Sequence, residues 1–149
     1  MQANDHAVKV LNSLIETTLD SANGYRQAAQ NVRDPELRSM FEQHASRREQ
    51  ISSELQGEVR SFGGEPNTHQ SMLGKAHNKF VELKKAVTGG SDKAVIDEVE
   101  RGEDVIKHKF EKAAKEDDLP LPVRDVVSRA YGSIKADHDE ISRLKHQMH

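Results

Sequence analysis

The stretch DEVERGEDVIKHKF, residues 97–110, steps by threes and fours: Ile96 just before it, then Val99, Ile106, Phe110 and Ala113 beyond it recur on one helix face. That period marks an amphipathic helix lying along a core. One position of the stripe breaks the pattern. It is Glu103, a carboxylate where the period calls for an apolar side chain. An ion at such a depth is costly unless facing elements bring partners to it. What the other helices carry at the same depth therefore decides the reading.

Punctuation on either side separates those helices. In RDPEL, Asp34 is placed as an N-cap, Pro35 at the first helical position and Glu36 beside the positive end of the dipole. SFGGEPN at 61–67 stops a helix, with Gly63 or Gly64 free to turn left-handed. TGGSD at 88–92 stops another and offers Ser91 or Asp92 as the next cap. EDDLPLPVRD at 116–125 breaks once more, and Pro122 suits a first helical turn.

Between these marks the period is helical. Long helices are expected over about 5–31 (Leu11, Ile15, Ala22, Tyr25, Ala29), 35–62 (Leu37, Phe41, Ile51, Leu55), 92–115, and 122–147 (Val127, Ala130, Ile134, Ile141, Leu144, then Met148). A shorter one is expected over 71–87, with Met72, Ala76, Phe80, Leu83 and Val87. No alternating strand pattern competes. Each long helix would extend about 35–42 Å. Short links make the first and last pairs antiparallel hairpins, while the middle connection is long and holds its own helix. The expected fold is all-α: a single-domain, ferritin-like four-helix bundle, residues 1–149, with a long crossover.

Composition agrees and narrows the function. At 149 residues the chain is long enough for one real core; charged residues make up 32% and aromatics 4%. A net charge of -3 with no basic block argues against nucleic acid. The absence of cysteine excludes disulfides, thiolate metal sites and a cysteine nucleophile. No apolar run reaches a membrane span and the polar start is no signal peptide, so a soluble, cytoplasmic protein is expected.

The stripe of every long helix is interrupted near its middle. Positions 11, 15, 18, 22, 25 and 29 place Thr18 there; 37, 41, 44, 48, 51 and 55 place His44 and Arg48; 127, 130, 134, 137, 141, 144 and 148 place Asp137, or its neighbour His138 if the local step is 134, 138, 141. Helix middles meet at one depth in an antiparallel bundle, so these interruptions point to one buried polar site. It reads either as an ion-pair network of Arg48 with Glu103 and Asp137, completed by His138 or His44 and the Thr18 hydroxyl, or as a metal centre. A di-iron bundle takes one Glu from each of two helices and a Glu-x-x-His pair from each of the others. This chain has no Glu-x-x-His, and a guanidinium neither ligates nor deprotonates. No metal and no cofactor is the expectation. The alternative is a sparse site for iron, manganese or zinc on Glu103, His138, Asp137 and His44.

As a set, LNSLIETTLDSANGYRQAA, DPELRSMFEQHASRREQISSELQ, FGGEP, ERGEDVIKHKFEKAA and LPLPVRDVVSRAYGSIKADHDEISRLK resemble a group of bacterial ferritin-like bundle proteins of unknown function, in the rubrerythrin-like branch of that superfamily. The resemblance implies that a ligand Glu lies seven residues before a Tyr; here Tyr25 is kept and the ligand position holds Thr18. It puts Arg48 and Ile51 at the two ligand positions of the second helix, keeps Glu103 after Gly102 in the third, and puts Asp137 and Glu140, or His138 and Ile141, in the last. It thus implies a degenerate metal site, without the family's oxidase and peroxidase activities.

The remaining candidates are plainer. His146 and His149 are spaced to pick up stray zinc but belong to a frayed end; His69, His77 and His108 fall on no stripe. Gly102 and Gly132 lie mid-helix, and close helix approach beside the polar site is their expected use. The expected function is a non-enzymatic bundle with a structural or stress-related role, paired with an unknown protein or with itself as a homodimer. A metal-binding oxidoreductase and a partner-binding module that uses the crossover helix are the alternatives.

Overall fold

A computed structural model describes the backbone of residues 2–68 and 91–147 and the side chains of residues 5–68 and 91–147. The crossover helix expected over 71–87 lies outside the described residues, as do His69, His77, Met148 and His149. Among those described there are four helices and no strand: α1 (Gln2–Asn31), α2 (Pro35–Ser61), α3 (Asp92–Ala114) and α4 (Leu121–Gln147). Their ends fall within a few residues of the expected ones, α1 starting earlier, at Gln2, and α3 stopping at Ala114.

Local chemistry sets these ends. The Asp34 carboxylate accepts from Glu36 N at 2.9 Å with Pro35 behind it, so α2 begins where its cap is. Past Phe62, Gly63 takes φ 77, its N–H bonds Arg60 O and the N–H of Gly64 bonds Val59 O, both at 3.0 Å. That double bond closes the helix with a left-handed residue, which glycine adopts without strain. A side chain at Gly64 would meet Val8 at 2.9 Å, so the glycine there lets the turn lie against α1. Ser91 caps α3 by accepting from Ala94 N. Asp92, the other capping candidate, reaches across instead: its carboxylate accepts from Arg33 N at 2.8 Å and Asp34 N at 3.1 Å. One side chain thereby pins the start of α3 to the α1–α2 turn.

α1 packs on α2 and α3 on α4, and the hairpins join through α1 against α3 and α2 against α4. The chain leaving α2 lies on the start of α1, where Asn12 bonds Glu65 O and Asn67 N, whereas α3 begins beside the far turn. The two described ends of the crossover therefore stand at opposite ends of the bundle.

The core is in two parts. One cluster gathers Leu11 and Ile15, Leu55 and Val59, Ile106 and Phe110, Val127 and Ile134. The other gathers Tyr25 and Ala29, Phe41 and Ala45, Ile96 and Val99, and Ile141. In every helix the boundary between them is the interrupted stripe. Gly132 does not serve close packing: it is exposed, and a side chain added there would meet nothing within 4 Å. None of the described helices is long and apolar enough to cross a membrane.

Candidate functional site

The layer between the two apolar clusters is built around Arg48, which the α2 stripe carries inward until it is fully buried. Its guanidinium grips Glu103 of α3 with both ends, Nη1 to Oε1 at 2.5 Å and Nη2 to Oε2 at 2.9 Å. Nη1 also donates to Ser21 Oγ of α1 at 2.7 Å, and Nη2 to Asp137 Oδ2 of α4 at 3.2 Å. One planar fork thus ties α2 to the other three helices. Glu103 is 1% exposed and Asp137 6%. Such charges tolerate desolvation because the bonds are ionic, bidentate and short. Arg48 Nε has no partner, and the guanidinium carbon lies 5.3 Å from the centre of the Tyr25 ring, within range of its negative face.

The rim adds a second arginine, a histidine and a third carboxylate. Arg47, half-exposed, donates from Nη2 to Asp137 Oδ1 at 2.9 Å, so each oxygen of that carboxylate meets a different arginine. His44, buried one turn before Arg48, points Nε2 at Glu140 Oε1, 2.9 Å away, and stands 3.7 Å from Asp137 Oδ1. Its ring is edge-on to Tyr25, centroids 4.9 Å apart, and its Nδ1 has no partner.

Acidities follow from this packing. Burial, then the Glu103 charge, raises the Tyr25 phenol well above its ordinary value. Its hydroxyl feels that carboxylate without making a hydrogen bond of good geometry. Burial lowers the His44 imidazole, only partly countered by Asp137 and Glu140, which keeps it neutral near pH 7. Burial would lower Arg48 as well, but Glu103, Tyr25 and Asp137 together outweigh that, and the guanidinium is held cationic.

Of the residues picked out by sequence, Arg48, Glu103, Asp137, His44 and Tyr25 share this layer. Two do not join it. The Thr18 hydroxyl is buried but donates to Leu14 O of its own helix at 2.6 Å, the local bond a helical threonine makes most easily. His138 lies on the outer rim, with Nε2 2.6 Å from Asp104 Oδ1 and Nδ1 3.3 Å from Asp139 Oδ1. The local step is 134, 137, 141, so Asp137 faces inward and His138 is turned about 100° away. Ser21, Arg47 and Glu140 are the members that the stripes passed over. Ser21 had a signal, since 18, 21, 25 is as good a three-and-four step as 18, 22, 25. Arg47 and Glu140 reach in from the flanks, where periodicity says nothing.

The four-residue metal set Glu103, His138, Asp137 and His44 is not assembled. A dinuclear centre also fails to fit: Arg48 fills the position between the carboxylates, and both oxygens of Glu103 are spent on it.

Four antiparallel helices, a long crossover and a polar layer at mid-height define the ferritin-like fold. The chain aligns with a point mutant of Dps1 from Mycobacterium smegmatis over 97% of each chain, with TM-score 0.81 and 12% identity, a likeness of fold. Residues 6–116 match the family described as Domain of unknown function (DUF2383), and the chain belongs to it. No curated protein matches it in sequence.

Proposed function

We propose that this protein is a non-enzymatic bundle of the rubrerythrin-like branch in which Arg48, Glu103 and Asp137 stand in place of a dinuclear metal centre. The observation that carries this reading is the bidentate grip of Arg48 on Glu103 at full burial. A guanidinium stays charged at any pH a cell offers, so the positive charge a metal would supply is permanent here and takes no part in redox chemistry. The interior then acts as a fastening, and the activity is that of a surface: a structural or stress-related protein of the cytoplasm that associates with another protein or with a second copy of itself.

The test is iron chemistry on untagged protein. After incubation with ferrous iron and desalting, elemental analysis should find no pair of irons per chain. Neither ferrous oxidation nor peroxide consumption should exceed buffer. Two irons retained, or turnover that disappears in Glu103→Gln, would overturn the proposal.

A further inference from the structure

We propose that His44, Asp137 and Glu140 form a site for one divalent cation of zinc type at the rim of the charge layer, which Arg47 occupies when the ion is absent. The ligand atoms of these three residues all lie within 4.8 Å of one another. Asp137 and Glu140 are three residues apart on α4 and project to the same side, while His44 faces them from α2. Atoms bound to zinc at about 2.0–2.2 Å in a tetrahedron stand about 3.3–3.6 Å apart. The separations here, 2.9 Å from Nε2 to Glu140 Oε1 and 3.7 Å from Nε2 to Asp137 Oδ1, bracket that value, so small side-chain shifts suffice. One imidazole and two carboxylates favour zinc over magnesium or calcium, which take oxygen alone. Glu140 is 42% exposed, which leaves a path for the ion and a fourth position for water.

Charge supplies an independent argument. Glu103, Asp137 and Glu140 carry three negative charges and Arg48 one positive. The deficit of two is what a divalent ion cancels. Arg47 covers half of it, bonded to Asp137 Oδ1, the same oxygen that faces His44. Arg47 is 41% exposed and can swing into solvent, whereas Arg48 cannot. Arg48 keeps its hold on Asp137 Oδ2 and would orient that ligand from behind. The His44 ring is positioned by packing against Tyr25.

The experiment is titration of chelator-stripped, untagged protein with cobalt(II), followed by visible absorption, and with zinc in competition with a chromogenic chelator. One equivalent should bind with a Kd of about micromolar. Glu140→Gln, half-exposed and harmless to the core, should weaken binding about 100-fold, as should His44→Gln. Arg47→Ala should tighten it about tenfold, because a competing cation is gone. His6→Gln, which removes the other three-ligand group found among the described residues (His6, Glu116, Asp118), should change nothing. No retained equivalent, binding indifferent to Glu140→Gln, binding lost in His6→Gln, or no gain in Arg47→Ala would each overturn the proposal. Because the site leaves Arg48 on Glu103, a single zinc lost in Glu140→Gln is separable from the pair of irons that would refute the metal-free interior.

Discussion

Arg48→Met takes the guanidinium off Glu103 and leaves a carboxylate that is 1% exposed without its two charge-assisted bonds. Asp137 suffers less, because Arg47 still holds its Oδ1. The cheapest way for the folded chain to keep Glu103 buried is to protonate it. For a carboxylate of ordinary acidity, about 4.3, that costs about 3.7 kcal/mol at pH 7, at 1.36 kcal/mol per pH unit. This falls within the roughly 3–5 kcal/mol found when one partner of a buried pair is removed. With a urea m-value of about 2 kcal/mol/M, the midpoint should drop by about 1.8 M. The pH dependence is the sharper signature: at pH 5 the same protonation costs about 1 kcal/mol, so the gap from wild type should nearly close. Adding Glu103→Leu should restore most of the loss at pH 7, since no buried charge is then left over. A single mutant within about 1 kcal/mol of wild type at pH 7, a gap of equal size at pH 5 and pH 7, or a double mutant no better than the single would refute the reasoning.

Three further outcomes are expected. Gly132→Ala should stabilise by about 0.5–1 kcal/mol in the same urea melts, because the site is exposed, mid-helix and open around the added methyl. Asp92→Ala should cost about 1–2 kcal/mol, as the N–H groups of Arg33 and Asp34 both lose their acceptor; Asp92→Asn, which keeps one acceptor oxygen, should cost less. In a phenolate absorbance titration Tyr25 should not ionise at the ordinary tyrosine value, because burial and then Glu103 raise it. The unfolded chain then releases that proton first, so the contribution is whole below about pH 10 and falls as pH climbs from there toward the folded value, by up to about 1.4 kcal/mol per unit. Tyr25→Phe should remove that slope.

The helices were legible because each end is fixed locally: Asp34 before Pro35 was read outright, while the choices between Ser91 and Asp92 and between Gly63 and Gly64 fell to Ser91 and Gly63 only in the folded chain. The depth of the polar layer was legible as well, since breaks at mid-helix in antiparallel elements must face one another. What the period does not settle is which of two adjacent residues turns inward. Asp137 and His138 differ by one step around α4, and the choice falls to Arg48, whose guanidinium donates to the Asp137 carboxylate. Thr18 misled for a related reason: its hydroxyl has a partner in its own helix and needs none across the bundle. Gly132 misled because helix glycines serve packing in some places and in others serve nothing that the surroundings show. Arg47 acts over the length of a flexible side chain, which leaves no trace in spacing; Glu140 lies off the apolar stripe and was reached only through its three-residue step from Asp137 in the resemblance.

The cations and the imidazole bonded to one another's partners in this layer, Arg47, Arg48 and His44, stand on α2, and the carboxylates that face them stand on the second hairpin, Glu103 on α3 with Asp137 and Glu140 on α4. The two halves are lock and key by sign. Sliding one against the other by a single helical turn, about 5.4 Å, would bury Arg48 against valine and isoleucine (Val99 or Ile106, Ile134 or Ile141) and strand two carboxylates in the dark. Apolar stripes alone would accept such a slip with little complaint. The charge layer works as an address, and one hairpin should recognise the other at this depth even when the two are supplied as separate chains.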